Sequence, residues 1–163
     1  MPAFNLFIAR FVEYLKQRGY SEKTIEEYSA YVRYFSWWLN EKYQNAQPKD
    51  VTKQEVYEFQ TYLFNYKTKT GHHLTLATQG KRLRSIRCFF RFLAKRDLIL
   101  YDPSTGLEMP KEEKGLPRGV LTRSEVKKLL DKPDCSTLLG LRDRAILELF
   151  YSTGIRLSEL LGI

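Results

Sequence analysis

The chain has 163 residues, enough for one domain or for one domain and part of a second. A hydrophobic share of 43% is ample for a buried core and excludes a disordered tail. Net charge is +8 and unevenly placed: residues 1–102 hold 17 Lys/Arg against 10 Asp/Glu, and residues 103–163 hold 10 against 9, which points to a polyanion partner for the first part.

In chain order, Phe4, Ile8, Phe11 and Leu15 fall at helical spacing, and Gly19 is a suitable stop. Ser21 can cap a second helix, along which Ile25, Tyr28, Val32, Phe35 and Leu39 repeat every three or four residues. After a polar stretch with Pro48, Thr52-x-x-Glu55 reads as a capping box with Val51 and Val56 as its hydrophobic staple. That predicts a third helix to about Tyr66, with Val56, Phe59 and Leu63 inward. A loop from Lys67 to Leu74 carries Gly71-His72-His73. Thr75 then caps a fourth helix to about Arg96, with Leu76, Leu83, Ile86, Phe90 and Leu93 as its inner face. No stretch of this part alternates strictly enough for a strand, so the expectation is an all-α, compact four-helix bundle over residues 1–102.

Residues 103–120 read as an interdomain linker: prolines 103, 110 and 117 and glycines 106, 115 and 119 break any periodic pattern. A second capping box, Thr122-x-x-Glu125 with Leu121 and Val126, opens a further region, residues 121–163. A helix is predicted over about 140–152, then a Thr153-Gly154 turn and a last helix. Leu160, Leu161 and Ile163 are apolar with little beyond them to bury them, the pattern of a domain cut short.

Other function classes find little support. Cys88 and Cys135 do not make a disulfide framework or a metal-ligand set. No apolar run approaches the roughly 20 residues needed to span a bilayer. Met1-Pro2-Ala3-Phe4 is not a charged region leading into an apolar one, so no secretory signal is visible and a cytoplasmic setting is the expectation. His72 and His73 sit in a loop without partners at metal-ligand spacing. Eleven tyrosines are present, but none follows a histidine-arginine motif, so none is nominated as a nucleophile.

The fourth helix carries the basic cluster. Lys81, Arg82, Arg84, Arg87, Arg91, Lys95 and Arg96 lie within sixteen residues that contain no acid. At about 100° per residue, Lys81, Arg84, Arg91 and Lys95 form one stripe opposite the apolar face. A guanidinium fork suits a phosphate, and a row along one helix suits a row of phosphates. A merely solvated face normally mixes signs, because a like-charge row repels itself. On the second helix the apolar stripe leaves Tyr34 and Trp37 pointing away from the bundle, beside Arg33. Stacking on sugars, packing on the second domain and contact with another protomer are all open to them.

The run Tyr151-Ser152-Thr153-Gly154-Ile155-Arg156-Leu157-Ser158-Glu159-Leu160-Leu161 places an arginine just after a Thr-Gly turn and a glutamate three residues later. It closely resembles the first active-site arginine box of the tyrosine recombinases, the phage-integrase and Xer-type DNA strand-exchange enzymes. Gly140-Leu141-Arg142-Asp143-Arg144-Ala145 before it fits the same pattern. Gly19-Tyr20-Ser21-x-x-Thr24, Leu83-x-x-Ile86-Arg87-x-Phe89-Phe90-x-Phe92-Leu93 and Asp102-Pro103 resemble the family's core-binding domain. Leu116-Pro117-Arg118 and Leu121-Thr122-x-x-Glu125-Val126 resemble the start of its catalytic domain.

The resemblance implies two domains clamped around double-stranded DNA, with the second and fourth helices at the major groove. Matching positions are Thr24 and Tyr34 on helix two, and Thr78, Lys81, Arg82 and Ser85 on the outer side of helix four; Arg84 and Arg91 suit phosphate better than bases. It also implies a reaction without metal, nucleotide or other cofactor: a tyrosine attacks the scissile phosphate to give a 3′-phosphotyrosyl link. Arg156 would stabilise the phosphorane, held by Glu159. The other catalytic groups would lie beyond Ile163, so the chain alone is expected to bind DNA and cleave nothing. Further protomers, a tetramer in the synapse, are implied as partners. Two rival readings are a non-catalytic architectural DNA-binding module and a helical bundle whose basic stripe meets an acidic protein.

Overall fold

The computed structural model describes residues 2–44, 46–111 and 119–162; the Leu116-Pro117-Arg118 stretch and Ile163 lie outside these. The chain divides into two compact units, residues 1–113 and 114–163. Among the described residues every regular element is helical, and the one β-bridge, Lys67 with His73, is isolated. The fold is an all-α core-binding bundle with further helices after it.

The first unit holds α1 (Pro2–Gln17), α2 (Glu22–Tyr43), α3 (Lys53–Asn65) and α4 (Leu76–Lys95), with a short 3-10 turn at Pro48–Asp50. Each start is built as the sequence predicts. The hydroxyls of Ser21 and Thr75 accept the backbone N–H groups of Thr24 and Thr78, and the Thr52–Glu55 capping box is complete. Val51 and Val56 are both buried beneath that box.

Phe11, Phe35, Phe59, Phe89 and Phe90 form a fully buried aromatic centre drawn from all four helices. Phe35 meets Phe59 edge-on at 4.9 Å, and Phe11 meets Phe89 the same way at 5.4 Å. Burial of each such ring contributes about 1.5–3 kcal/mol, and edge-to-face pairing adds to that.

Helix α4 departs from the expected single stripe because it packs against α1, α2 and α3 at once. Its buried surface therefore widens to take in Phe89 and Phe92 as well as Leu83, Ile86, Phe90 and Leu93. Leu76, expected inward, is 42% exposed, since it occupies the first position of the helix, a turn ahead of the core. Ser85, expected on the outer side, is fully buried and its hydroxyl donates to the Lys81 carbonyl at 3.0 Å. Two serines of α2, Ser29 and Ser36, are also buried.

Residues 103–109, predicted to be linker, are in part packed down. Ser104 and Leu107 are buried, and the carbonyls of Gly106, Leu107 and Glu108 accept from Tyr57, Arg87 and Gln60. These fixing contacts come from side chains of α3 and α4, which composition does not show.

The second unit holds α5 (Arg123–Leu130), α6 (Leu138–Thr153) and α7 (Leu157–Leu160). Glu125 closes the second capping box by accepting the Thr122 N–H at 2.8 Å. Arg144 joins α5 to α6: it donates to the Leu130 carbonyl at 2.6 Å and to Asp131, and pairs with Glu148 on its own helix. Helix α6 ends at Gly154, whose φ of +67° is the left-handed conformation that favours glycine.

Candidate nucleic-acid interface

The basic stripe of α4 is present as a surface. Lys81, Arg84, Arg91 and Lys95 are all exposed along one side of the helix. Lys81 also reaches Glu27 of α2 at 3.6 Å, a contact that helical spacing alone does not reveal. Glu27 in turn accepts from the Tyr31 hydroxyl at 3.0 Å, so one carboxylate links the lysine to an aromatic of α2.

Besides Ser85, two candidate residues are placed differently from expectation. Tyr34 does not point away from the bundle: it is half-buried, lies tilted against Phe59 with ring centroids 6.2 Å apart, and shares a 2.7 Å hydrogen bond with the Tyr62 hydroxyl. Burial, and after it the Tyr34 contact, pushes the Tyr62 hydroxyl well above the ordinary tyrosine range. Arg82 is half-buried rather than outward. Its guanidinium lies 4.8 Å from the Tyr34 ring centroid and 5.7 Å from that of Tyr31, and its Nε and Nη1 have no hydrogen-bond partner among the described residues. The wider buried face of α4 draws in its flank, and the two tyrosine faces receive the cation there. Trp37 stays exposed, 5.4 Å from Tyr34.

Thr24 and Thr78 occupy equivalent positions in the first turns of α2 and α4. Each hydroxyl lies 2.9 Å from its cap, Ser21 and Thr75 respectively. Both serve the helix starts, and both are partly accessible. His73 is tied into the α3–α4 loop by Nδ1, 3.2 Å from the Phe64 carbonyl.

At its far end the stripe borders a small pocket with no counterpart in the sequence pattern. Arg18, just past α1, lies beside Arg84, Arg87, Arg91 and Lys95 there, with Cys88 also in the lining. Burial pushes the Cys88 thiol up, and Arg91 and Arg18 pull it down from two elements. No sequence signal marks Arg18, because its neighbours are some seventy residues away.

In the second unit Arg156 immediately precedes α7. Its Nη1 pairs with Glu159 at 3.1 Å, and the other oxygen of that carboxylate accepts the Arg156 N–H at 2.8 Å. The arginine side chain is 81% exposed. The pairing orients the guanidinium while leaving donors open, an arrangement that suits an anionic oxygen.

Residues 7–100 match the phage integrase N-terminal SAM-like domain. The chain is 40% identical to tyrosine recombinase XerC 2 of Ralstonia nicotianae over 99% of its own length and 48% of the relative. It is 34% identical to tyrosine recombinase XerD of Lacticaseibacillus casei, over 96% of this chain and 50% of the relative. Against tyrosine recombinase XerC of Myxococcus xanthus it is 47% identical over 53% of this chain and 29% of the relative. It thus spans about half the length of the first two of these curated relatives. By these matches and its helical SAM-like bundle, the chain belongs to the tyrosine recombinase (phage integrase) family.

Proposed function

We propose that this chain is the DNA-binding portion of a site-specific tyrosine recombinase that cuts and rejoins double-stranded DNA through a 3′-phosphotyrosyl intermediate. The single observation that carries the reading is the exposed row Lys81, Arg84, Arg91 and Lys95 on a helix with no acid between residues 81 and 96. Such a row neutralises successive phosphates and releases their counterions. Residues 1–102 act as the core-binding domain, residues 121–163 begin the catalytic domain, and residues 103–120 connect the two. Exposed Leu138, Leu139, Leu157 and Leu161 support the catalytic-domain assignment, because they offer apolar surface for more of the same domain to cover.

On DNA, the exposed cations of α4 grip phosphates, and Lys81, with Thr78 and Thr24 at the helix starts, lies nearest the groove. Arg82 and Tyr34 shape that surface from beneath, and Ser85 contributes through packing. Arg156 meets the scissile phosphate. An always-charged planar donor stabilises the extra charge of the phosphorane more than the ground state, and Glu159 sets its direction. The tyrosine nucleophile lies in another part of the enzyme, which works as several protomers on one site in the cytoplasm.

The test is covalent capture on a nicked suicide duplex. This chain alone should bind the duplex and form no covalent adduct. The longer reading frame should form one, and Arg156→Ala should slow it by about 10²–10³-fold, the usual effect of removing one preorganised donor. An adduct on the 163-residue chain, or a full reading frame unaffected by Arg156→Ala, would overturn the assignment.

A further inference from the structure

Five cations from two separate parts of the first unit converge on one small cavity. Arg18 comes from the end of α1; Arg84, Arg87, Arg91 and Lys95 come from successive turns of α4. The cavity measures about 300 Å³, and among the described residues no carboxylate lines it. We propose that it is a binding pocket for a single phosphate-class anion, a role distinct from that of a flat basic stripe.

The observations supporting this are geometric. Arg18 and Arg87 are each anchored by a neutral group. Arg18 donates to the Tyr14 hydroxyl at 3.4 Å with its guanidinium 5.8 Å from the Tyr14 ring centroid, and Arg87 donates to the Leu107 carbonyl. Each guanidinium carries five donors, so such anchoring fixes direction and leaves further N–H groups for a ligand. Tyr28 adds a hydroxyl to the wall; burial is the main cause pushing it above the ordinary tyrosine range, so it remains a donor at neutral pH. Glu27, the acid next to Tyr28 on α2, is engaged with Lys81 and Tyr31. Like charges gathered around a half-open hollow repel one another, and a tetrahedral anion accepting charge-assisted hydrogen bonds from several of them reverses that repulsion.

Phosphate chemistry can reach the pocket as a backbone phosphate of bound DNA or as a free phosphorylated solute. Only the first source rests on the DNA-binding reading. Arg18 separates the pocket from the stripe, because it lies at the end of α1 and contributes nothing to a row along α4.

The experiment is titration of the whole chain with inorganic pyrophosphate at low salt, read by isothermal calorimetry, for the wild type and for Arg18→Gln, Arg91→Gln and Lys81→Gln. The pocket predicts one saturable site, weakened about tenfold or more by Arg18→Gln and by Arg91→Gln, as expected for loss of a hydrogen bond to a charged group. Lys81→Gln, outside the pocket, should leave it nearly unchanged. If duplex DNA displaces the pyrophosphate, the occupant is a backbone phosphate. If pyrophosphate binds with this pattern while duplex neither binds nor competes, the pocket stands as a site for a free phosphate and the DNA reading fails. Absence of saturable binding, or binding indifferent to Arg18→Gln, overturns the pocket, and duplex binding in that same sample would leave the DNA reading intact.

Discussion

The guanidinium of Arg82 lies over the ring of Tyr34, 4.8 Å from its centroid, and so ties α4 to α2 beside the basic stripe. Tyr34 is itself fixed by the 2.7 Å contact between its hydroxyl and that of Tyr62 on α3. One arginine therefore couples three helices, with its guanidinium near the rings of both Tyr34 and Tyr31.

This coupling is measurable. A double-mutant cycle on Arg82→Met and Tyr34→Leu, read from urea unfolding, should return an interaction energy of about 0.5–2 kcal/mol. Strictly additive effects of the two changes would mean that the stacking contributes nothing to stability.

The second unit has a sterically closed point at Gly140. A Cβ there would sit 1.9 Å from the backbone oxygen of Asp134, an atom that cannot swing aside as a side chain does. Gly140→Ala should cost about 1–3 kcal/mol or more and fall on the start of α6. Hydrogen exchange checks this: amides of α6 should lose protection while those of α1–α4 keep theirs. Unchanged α6 protection would contradict the packing described.

Acid sensitivity should be traceable to Glu58. Its carboxylate accepts from Lys42 first, and then from Tyr43 and Gln54, which lowers its pKa from the ordinary 4.5 to about 2. A carboxylate depressed in the folded state contributes stability above its unfolded value, and that contribution is lost as pH falls from 4.5 through about 2. Exposure keeps the effect small. Glu58→Gln should flatten the fall of the urea midpoint across this window, and an identical pH profile in the variant would exclude the role.

Much of this architecture was legible in local sequence. Both capping boxes, Thr52/Glu55 and Thr122/Glu125, announced their helices, because a cap is a contact between residues three apart. The buried positions of α1 could be read from period alone. Phe89 and Ser85 could not, since helical period predicts one buried stripe and α4 is covered on several sides. Within the candidate interface, the stripe from Lys81 to Lys95 could be read from one helix. The Arg82–Tyr34 stacking and the Arg18 side of the pocket depend on how distant helices register against each other, which no spacing within one segment encodes.

The central claim is that α4 grips the phosphates of duplex DNA, and its most direct test is the salt dependence of binding. Fluorescence anisotropy of a labelled duplex, taken from about 50 to about 200 mM salt, gives the slope of log affinity against log salt. The wild type should show a steep linear fall, and Lys81→Ala with Arg84→Ala should make it shallower by about 0.9 for each phosphate contact removed. A slope unchanged by the pair of substitutions, or binding that ignores salt altogether, would contradict the account.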